Sequence, residues 1–200
     1  MKVNTMKNQN TRNRILDASL KIFSQKGFLG ATTKEIAMRA QVGEATLFRL
    51  FISKERLFEE VLHSYTFLNT LKELLPDLIH MDYQKALQTV ARKLLEDLTK
   101  RKALFRILHA EAFHYSPRVK SRYFSFIRDI SHTFASYLLD CQEKGLLRDF
   151  NPQIAAEAFL GMFISFFTRE CLLSPPEVRD RDREEFVLEF VDIFARGTAK

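Results

Sequence analysis

Residues 32–35 carry the groups best suited to bind a charged partner. Thr32, Thr33, Lys34 and Glu35 follow one another directly. A Thr and a Glu three residues apart form a capping box, in which each side chain accepts a hydrogen bond from the other residue's backbone N–H. A capped helix start presents its remaining N–H groups, and these bind phosphate well. The segment therefore predicts a helix whose start can contact a phosphate backbone.

A second short helix is predicted from about Glu44 to Phe51, after a tight turn at residues 41–43. Two short helices joined by a three-residue turn form a helix-turn-helix, whose second helix enters the major groove of DNA. Close crossing of the helices needs small side chains, which are supplied by Ala37, Ala40 and Ala45.

Two Glu-x-x-His pairs allow a different chemistry. They are Glu60 with His63 and Glu111 with His114. Two such pairs and two further glutamates form the di-iron carboxylate site of some helical bundles. The further ligands would come from buried glutamates such as Glu96 and Glu157. Because the pattern is short and arises by chance in charged helices, we expect no metal and no cofactor, and keep a di-iron enzyme as an alternative.

The elements that position these groups are predicted to be helices throughout. The 200 residues include only six Gly and five Pro, which favours long helices over strands and turns. Hydrophobic periodicity predicts an all-α fold of about nine helices. We expect a flexible basic arm at 1–10, a three-helix helix-turn-helix domain at 11–53, and a helical domain at 54–200, to which the resemblance described below assigns ligand binding and dimerisation. The fourth helix is expected to run unbroken from Lys54 to Leu75, where Pro76 interrupts it.

Charge is concentrated at the N-terminal end. Residues 1–60 hold eleven Lys/Arg and six Asp/Glu, a net charge of +5, whereas residues 61–200 hold twenty and nineteen, a net charge of +1. This asymmetry is typical of a protein that binds a polyanion with one end, although an ordinary solvated surface explains the charge alone equally well.

Cysteine use and hydropathy predict a cytoplasmic protein. Cys141 and Cys171 are isolated, and the polar N-terminus resembles no signal peptide. The most apolar run, residues 154–168, contains Glu157 and is shorter than the ~20 residues that span a bilayer. We therefore expect no membrane partner.

The residues from Arg14 to Leu62 resemble the N-terminal domain of the TetR family of repressors. The features that carry the resemblance are Ala18, Phe23, Gly27, Thr32-Thr33, Glu35-Ile36-Ala37, Val42, Thr46-Leu47, Phe51 and Ser53-Lys54-Glu55. The resemblance implies a homodimer that places two recognition helices in successive major grooves of a palindromic operator. It also implies an effector pocket in the C-terminal domain.

Several positions depart from the family pattern, among them Leu50, where His or Tyr is common, and the acidic Glu44. Gln41 replaces the usual Gly of the turn and is expected to adopt a positive φ, at ~1 kcal/mol. Gly43 replaces Ser or Thr and weakens the cap of the recognition helix slightly. Phe48 replaces the usual Tyr and lacks its hydroxyl.

The expected DNA-contacting surface combines the resemblance with the helix geometry. Arg12 and Arg14 are expected near the DNA backbone. Glu44 has two interpretations: it stabilises the helix start, which we favour, or it accepts from a cytosine amino group. The predicted DNA-binding residues are Thr32, Thr33, Lys34, Glu44, Ala45, Thr46, Phe48, Arg49 and Lys54.

The resemblance, taken together with the phenylalanine-rich second half of the chain, implies a site for a small apolar effector. Thirteen of the nineteen Phe lie in residues 101–200, and aromatic walls with one or two polar groups suit such a ligand, although the same rings can simply pack a core. The fourth helix is expected to transmit binding to the recognition helix. The predicted lining consists of Phe67, Leu71, Leu98, Phe105, His109, Phe113, Tyr123, Phe124, Ile127, Phe163 and Phe166.

The helix after Pro152 is apolar around most of its circumference, so it must be buried on two sides. A second copy of the chain can cover one side, in an intermolecular four-helix bundle with the last helix. A helical adaptor that binds other proteins is the remaining alternative. The predicted dimer interface consists of Ala155, Phe159, Met162, Phe166, Phe186, Phe190 and Phe194.

Overall fold

The structure is a computed structural model built of α-helices, and it describes residues 2–65, 67–111, 114–173 and 182–200. The all-α prediction is confirmed: across these ranges the β contact is an isolated bridge between Leu147 and Ala199. The helices are α1 (Lys2–Gly30), α2 (Thr33–Arg39), α3 (Glu44–Phe51), α4 (Lys54–Ser64), α5 (Phe67–Leu78), α6 (Tyr83–Lys100), α7 (Lys102–Glu111), α8 (Pro117–Glu143), α9 (Pro152–Phe167) with a π-helical continuation (Thr168–Leu173), and α10 (Arg183–Thr198).

Helix α1 begins earlier than the sequence suggests. Residues 2–10, expected to form an arm, are helical and continuous with the packed part of α1. Their polar sequence has no apolar stripe, but it also has no Gly or Pro, so a helix nucleated at the packed residues can extend through them. Near its other end α1 is kinked at Gly27, which has φ 74° and ψ 177°, a conformation essentially restricted to glycine.

The predicted long fourth helix is two helices in the structure. α4 ends at Ser64, and α5 begins at Phe67 and contains Pro76. Tyr65 lies at the end of α4, where its hydroxyl donates to Asp17 Oδ1 at 2.6 Å and fastens this end to α1. The prediction of one unbroken helix from Lys54 to Leu75 is therefore wrong. If α4 and α5 were counted as one, the described helices would number nine, as expected.

The chain divides into two compact units, and the division differs from the predicted boundary at residue 53. The first unit comprises Met1–Tyr65 and Arg101–Phe126, and the second comprises Thr66–Lys100 and Ile127–Lys200. In the first unit, α1 packs against α2, α4 and α7. Its aromatic core contains Phe23, Phe28, Phe58 and Tyr115.

The second unit is packed by phenylalanine rings around α9. The ring of Phe159 lies 5.0 Å from those of Phe134 and Phe163 and 4.9 Å from that of Phe194, measured between centroids. Asn151 caps α9 by accepting from the backbone N–H groups of the two residues after Pro152, and a proline suits the first helical position because its fixed φ matches that of a helix.

Candidate nucleic-acid interface

Residues 32–51 form two short helices joined by a turn. The Thr32 hydroxyl oxygen accepts from the Glu35 N–H at 3.2 Å, and the Glu35 carboxylate accepts from the Thr32 N–H at 3.3 Å. The predicted capping box is thus confirmed. The turn is closed by the Val42 N–H, which donates to the Ala37 carbonyl at 3.0 Å. The arrangement is that of a helix-turn-helix.

Two residues with positive φ bracket α3. Gln41, in the turn before the helix, has φ 55°, as the sequence predicts. Ile52, directly after it, has φ 65° and ψ −47°. The Ser53 N–H donates to the Phe51 carbonyl at 2.6 Å, closing a three-residue turn around Ile52. Such a turn is rare and strained, most of all for a β-branched residue, and backbone strain of this kind concentrates at functional sites.

One face of α3 is buried and the other is turned outward. Leu47 and Phe51 are fully buried and anchor the helix. The outward residues recur at the spacing of a single helix face; they are Glu44, Ala45, Phe48 and Arg49. A helix held in this way presents four side chains together to a groove. Of the other predicted contacts, Lys34 is exposed and Thr46 is half-buried.

The starts of α2 and α3 are joined through Thr33 and Glu44. The Thr33 hydroxyl donates to Glu44 Oε1 at 2.5 Å. A carboxylate in the first turn of α3 also interacts favourably with the helix dipole. The hydrogen bond supports the interpretation of Glu44 as a residue that stabilises the helix start, while a cytosine contact stays a prediction.

Lys54, the predicted phosphate contact, begins α4 and is half-buried. Its Nζ lies 4.5 Å from the centroid of the Phe28 ring, a cation–π contact. Burial lowers the pKa of the Lys54 amine, while the carboxylates of Glu55 and Glu111 act in the opposite direction. The cation is therefore held by an aromatic face within the first unit.

Arg12 and Arg14 make contacts inside the first unit that no local pattern could predict. Arg12 pairs with Glu60, and its guanidinium lies 4.9 Å from the Phe51 ring centroid. Arg14 donates to the carbonyl of Ala40 at 2.5 Å and to that of Gln41 at 3.2 Å. These side chains position the turn and the recognition helix, and their proximity to the DNA backbone stays a prediction.

Glu111 is a second residue whose role the sequence did not indicate. Its Oε2 accepts from the Phe28 N–H at 2.8 Å and from the Tyr115 hydroxyl at 3.4 Å. Its carboxylate occupies the space beside Gly27, so a Cβ added to that glycine would clash with Oε1. Glu111 thus ties α7 to the kink of α1. Eighty-three residues separate it from Phe28, a distance along the chain at which sequence spacing carries no information about contact.

The predicted effector-lining residues are divided between the two units. Phe67, Leu71, Phe163 and Phe166 are buried in the second unit, where Leu98 is half-buried and Ile127 is exposed. In the first unit, Phe105 and Tyr123 are half-buried, while His109 and Phe124 are exposed. Phe113 lies outside the described residues. Phe67 and Leu71 belong to α5. Contrary to the prediction from the sequence, they therefore do not lie on the same helix as Lys54.

The predicted dimer residues face both inward and outward. Phe159, Phe166 and Phe186 are buried inside the second unit, because their rings pack against other rings of that unit. The half-buried members are Ala155, Met162, Phe190 and Phe194. The exposed face of α9 carries instead Ile154, Ala158, Gly161 and Ser165.

The di-iron alternative finds no support in the described part of the chain, which contains no group of three or more His, Cys, Asp or Glu side chains able to hold a metal ion. Glu60 pairs with Arg12, and Glu111 binds a backbone N–H. Among the same residues, no helix is both long and apolar enough to cross a membrane.

Two family models match the chain. Residues 15–61 match the model described as bacterial regulatory proteins of the tetR family. Residues 85–197 match the model described as the C-terminal domain of an AefR-like transcriptional repressor. The first match covers the helix-turn-helix, and the second covers more than half of the chain.

Relatives and solved structures agree with the family models. The HTH-type transcriptional regulator YvkB of Bacillus subtilis is 30% identical over 187 residues, covering 94% of this chain and 96% of its own. A crystal structure from Mesorhizobium loti assigned to the TetR family superposes with a TM-score of 0.75 at 22% identity, covering 96% of this chain and 98% of its own. The FadR regulator of Bacillus subtilis, solved in complex with stearoyl-CoA, gives a TM-score of 0.70 at 14% identity and covers 92% and 97%.

Proposed function

Because this chain belongs to the TetR family of transcriptional regulators, we propose that it is a homodimeric repressor of a palindromic operator, released by a mostly apolar small molecule. The family is one of regulators and not of enzymes, and its helix-turn-helix domain makes DNA a partner. The match to a repressor's C-terminal domain supports repression over activation. The observation that carries the proposal is the helix-turn-helix at the basic end of the chain, in which α2 begins with a capping box and α3 presents an outward face.

The DNA contact divides into positioning and reading. Lys34, Thr46 and Lys54 are proposed to contact phosphates, which fix the protein on the duplex without reading its sequence. Arg49 is proposed to reach a base edge, where guanine offers two acceptors to a guanidinium. This division gives each group a distinct signature in binding experiments.

A gel shift and an anisotropy titration against the DNA upstream of the protein's own gene test the proposal. We expect Lys54→Ala to weaken binding to all duplexes and to reduce the salt slope by about one unit per chain. We expect Arg49→Ala to relax preference at one base pair, with a cost of ~1–3 kcal/mol. Binding of both variants with wild-type affinity and salt dependence would show that another surface contacts DNA.

The effector is proposed to be mostly apolar because of the phenylalanine-rich second unit. The FadR complex with stearoyl-CoA supports the idea, since that fold neighbour accommodates a long acyl chain. Phe67, Leu71 and Phe163 are the buried candidates. Weakening operator binding a hundredfold needs ~2.7 kcal/mol of differential effector affinity, an ordinary coupling energy.

A panel of fatty acids and acyl-CoA thioesters tests the effector. A ligand should raise the thermal midpoint of the protein and release the operator in the same concentration range. Leu71→Phe should reduce both responses and leave DNA binding intact, because it fills space and does not alter the helix-turn-helix. If no member of the panel changes either quantity, the buried rings serve as a core and the apolar-effector proposal fails.

The homodimer is proposed to form through the exposed face of α9, together with the exposed Ile193 of α10. Ile154 and Ile193 are 64% and 61% exposed, an arrangement that favours burial against a second copy. A Cβ added at Gly161 has open space within the chain. Gly161→Arg should therefore leave the protomer folded and prevent dimerisation, whereas Gly161→Ala should preserve the dimer. Sedimentation velocity at micromolar concentration distinguishes the two results.

A further inference from the structure

The recognition face of α3 is unusually apolar for a surface that meets DNA. Phe48 and Ala45 are both exposed on it, and Ile52 follows at 77% exposure. Ala45 and Phe48 are three residues apart, which places them side by side on one helix face, and Ile52 directly follows the last residue of the helix. Phe48 has no polar atom in its side chain, so it can neither bind a phosphate nor accept or donate at a base edge.

The major groove offers one apolar group to such a stripe, the C5-methyl of thymine, and phenylalanine and alanine are side chains that contact it. Arg49, next to Phe48 and also exposed, balances the charge of Glu44 on the same face, and the surrounding residues 1–60 carry a net charge of +5. A cationic surround with an apolar centre fits a duplex better than it fits another apolar protein surface.

We propose that Phe48 and Ala45 read thymine methyl groups in each operator half-site. The inference rests on the proposed function and specifies the base that the same surface recognises. Ala45 and Phe48 are separated by about 4.5 Å along the helix axis, whereas successive bases of a strand rise by about 3.4 Å. The two side chains therefore contact thymines on the same or on neighbouring base pairs.

The position of Phe48 is set by anchors on the opposite face of α3. Leu47 and Phe51 are fully buried, and Arg12 lies against the Phe51 ring. A side chain carried by so short and so firmly anchored a helix has little freedom to avoid the groove floor. Phe48 lacks the hydroxyl of tyrosine, which would be a loss if this position served only to bind phosphate. For contact with a methyl group the ring of Phe48 is better suited, because no polar atom has to be desolvated.

The test isolates the methyl group. Duplexes that bind the wild-type full chain are selected from a random library, and each thymine of the half-site is then replaced singly by deoxyuridine, which removes only the methyl. We expect one or two positions at which the dissociation constant rises about three- to fivefold, the value of one buried methyl group. In Phe48→Ala, which binds more weakly overall, the same replacement should have no further effect.

A reciprocal experiment and two controls complete the design. Replacing the contacted T·A pair by a C·G pair should weaken binding, and 5-methylcytosine should restore part of it for the wild type but not for Phe48→Ala. Phe48→Tyr keeps the ring and should keep the methyl dependence. Ile79→Ala removes an apolar side chain of similar exposure, 46% against 42% for Phe48, and should behave as wild type.

Each outcome distinguishes this inference from the function on which it rests. Suppose that deoxyuridine raises the dissociation constant by the same factor for the wild type and for Phe48→Ala at every thymine, while sequence-specific binding persists. The proposal that Phe48 reads thymine is then overturned, and the proposed repressor function is unaffected. If no duplex is enriched by the wild-type chain, both fail. Circular dichroism melting of each variant establishes that it is folded. If Phe48→Ala does not fold, Phe48→Gln serves as the second variant, since it also removes the ring and should likewise abolish the methyl dependence.

Discussion

The surroundings of α3 and of α9 show two ways of fixing a helix. α3 is eight residues long, is bracketed by residues with positive φ, and is positioned by polar groups from distant parts of the first unit. α9 has sixteen residues, is capped by its own Asn151, and is packed by phenylalanine rings. Hydrogen bonds and ion pairs are directional, whereas apolar packing chiefly fills volume.

The difference matches the tasks proposed for the two helices. A recognition helix must hold its side chains to within a fraction of an ångström of a base edge, and directional contacts such as Arg14 to the Ala40 carbonyl provide that accuracy. A helix in a core that accommodates an effector benefits from rings that can repack. The following substitutions test this comparison, from the largest expected effect to the smallest.

Phe163→Ala should be the most damaging substitution. The ring is fully buried and contacts those of Phe159, Phe186 and Phe190, so its loss should cost ~3–5 kcal/mol in the free energy of unfolding. Urea denaturation followed by circular dichroism measures the change. The matched control is Phe124→Ala in the first unit, where the ring is 62% exposed and the cost should stay within ~0.5 kcal/mol.

Glu111→Ala should lower the free energy of unfolding more than Glu111→Gln. It leaves the Phe28 N–H, a part-buried donor, without its acceptor, which costs ~1–3 kcal/mol. Glu111→Gln keeps an oxygen acceptor and should lose less. Hydrogen exchange of the Phe28 amide provides the local readout, because it should quicken in the alanine variant and remain protected in the glutamine variant. Equal exchange in both would show that the contact does not hold the kink.

Opposite substitutions can be made at two residues with positive φ, Gln41 in the first unit and Gly145 in the second. Gln41→Gly should raise the free energy of unfolding by about 1 kcal/mol, because glycine adopts the positive φ without steric cost. Gly145 has φ 73°, and a Cβ added to it would meet open space. Gly145→Gln should therefore have the opposite effect and lower the free energy of unfolding by about 1 kcal/mol. Thermal denaturation of both variants checks the signs, and changes of equal sign would contradict the assignment of strain to Gln41.

The smallest effect is expected at Glu96, on the surface of α6. Its hydrogen bonds with Lys100 and Lys93 lower the pKa of the Glu96 carboxyl to about 2. Because the pKa is lowered on folding, the ion pairs stabilise the folded state at pH values above about 4.5, the pKa of this carboxyl in the unfolded chain. This contribution disappears as the pH falls towards 2. Glu96→Gln should therefore flatten the acid side of the stability profile slightly, and only at low salt. An unchanged profile would show that the ion pairs contribute nothing.

The sequence predicted the parts of the interface whose partners are close along the chain. The Thr32–Glu35 capping box and the positive φ of Gln41 are both confirmed. Each depends on residues at most four apart, so composition and spacing contain the whole interaction. The buried face of α3 was predictable for the same reason, since Leu47 and Phe51 recur at helical spacing.

What the tertiary structure decided involves residues far apart in the chain. Arg12 meets Glu60 across 48 residues, Arg14 meets Ala40 across 26, and Glu111 meets Phe28 across 83. The end of α4 at Ser64, where Tyr65 is fastened to Asp17, belongs to the same class. Local propensity favours a longer helix there, whereas the contact between Tyr65 and Asp17 exists only when α1 packs against α4. Helices and their caps are thus properties of short segments, whereas the breaks and polar ties that position a recognition helix exist only in the packed chain.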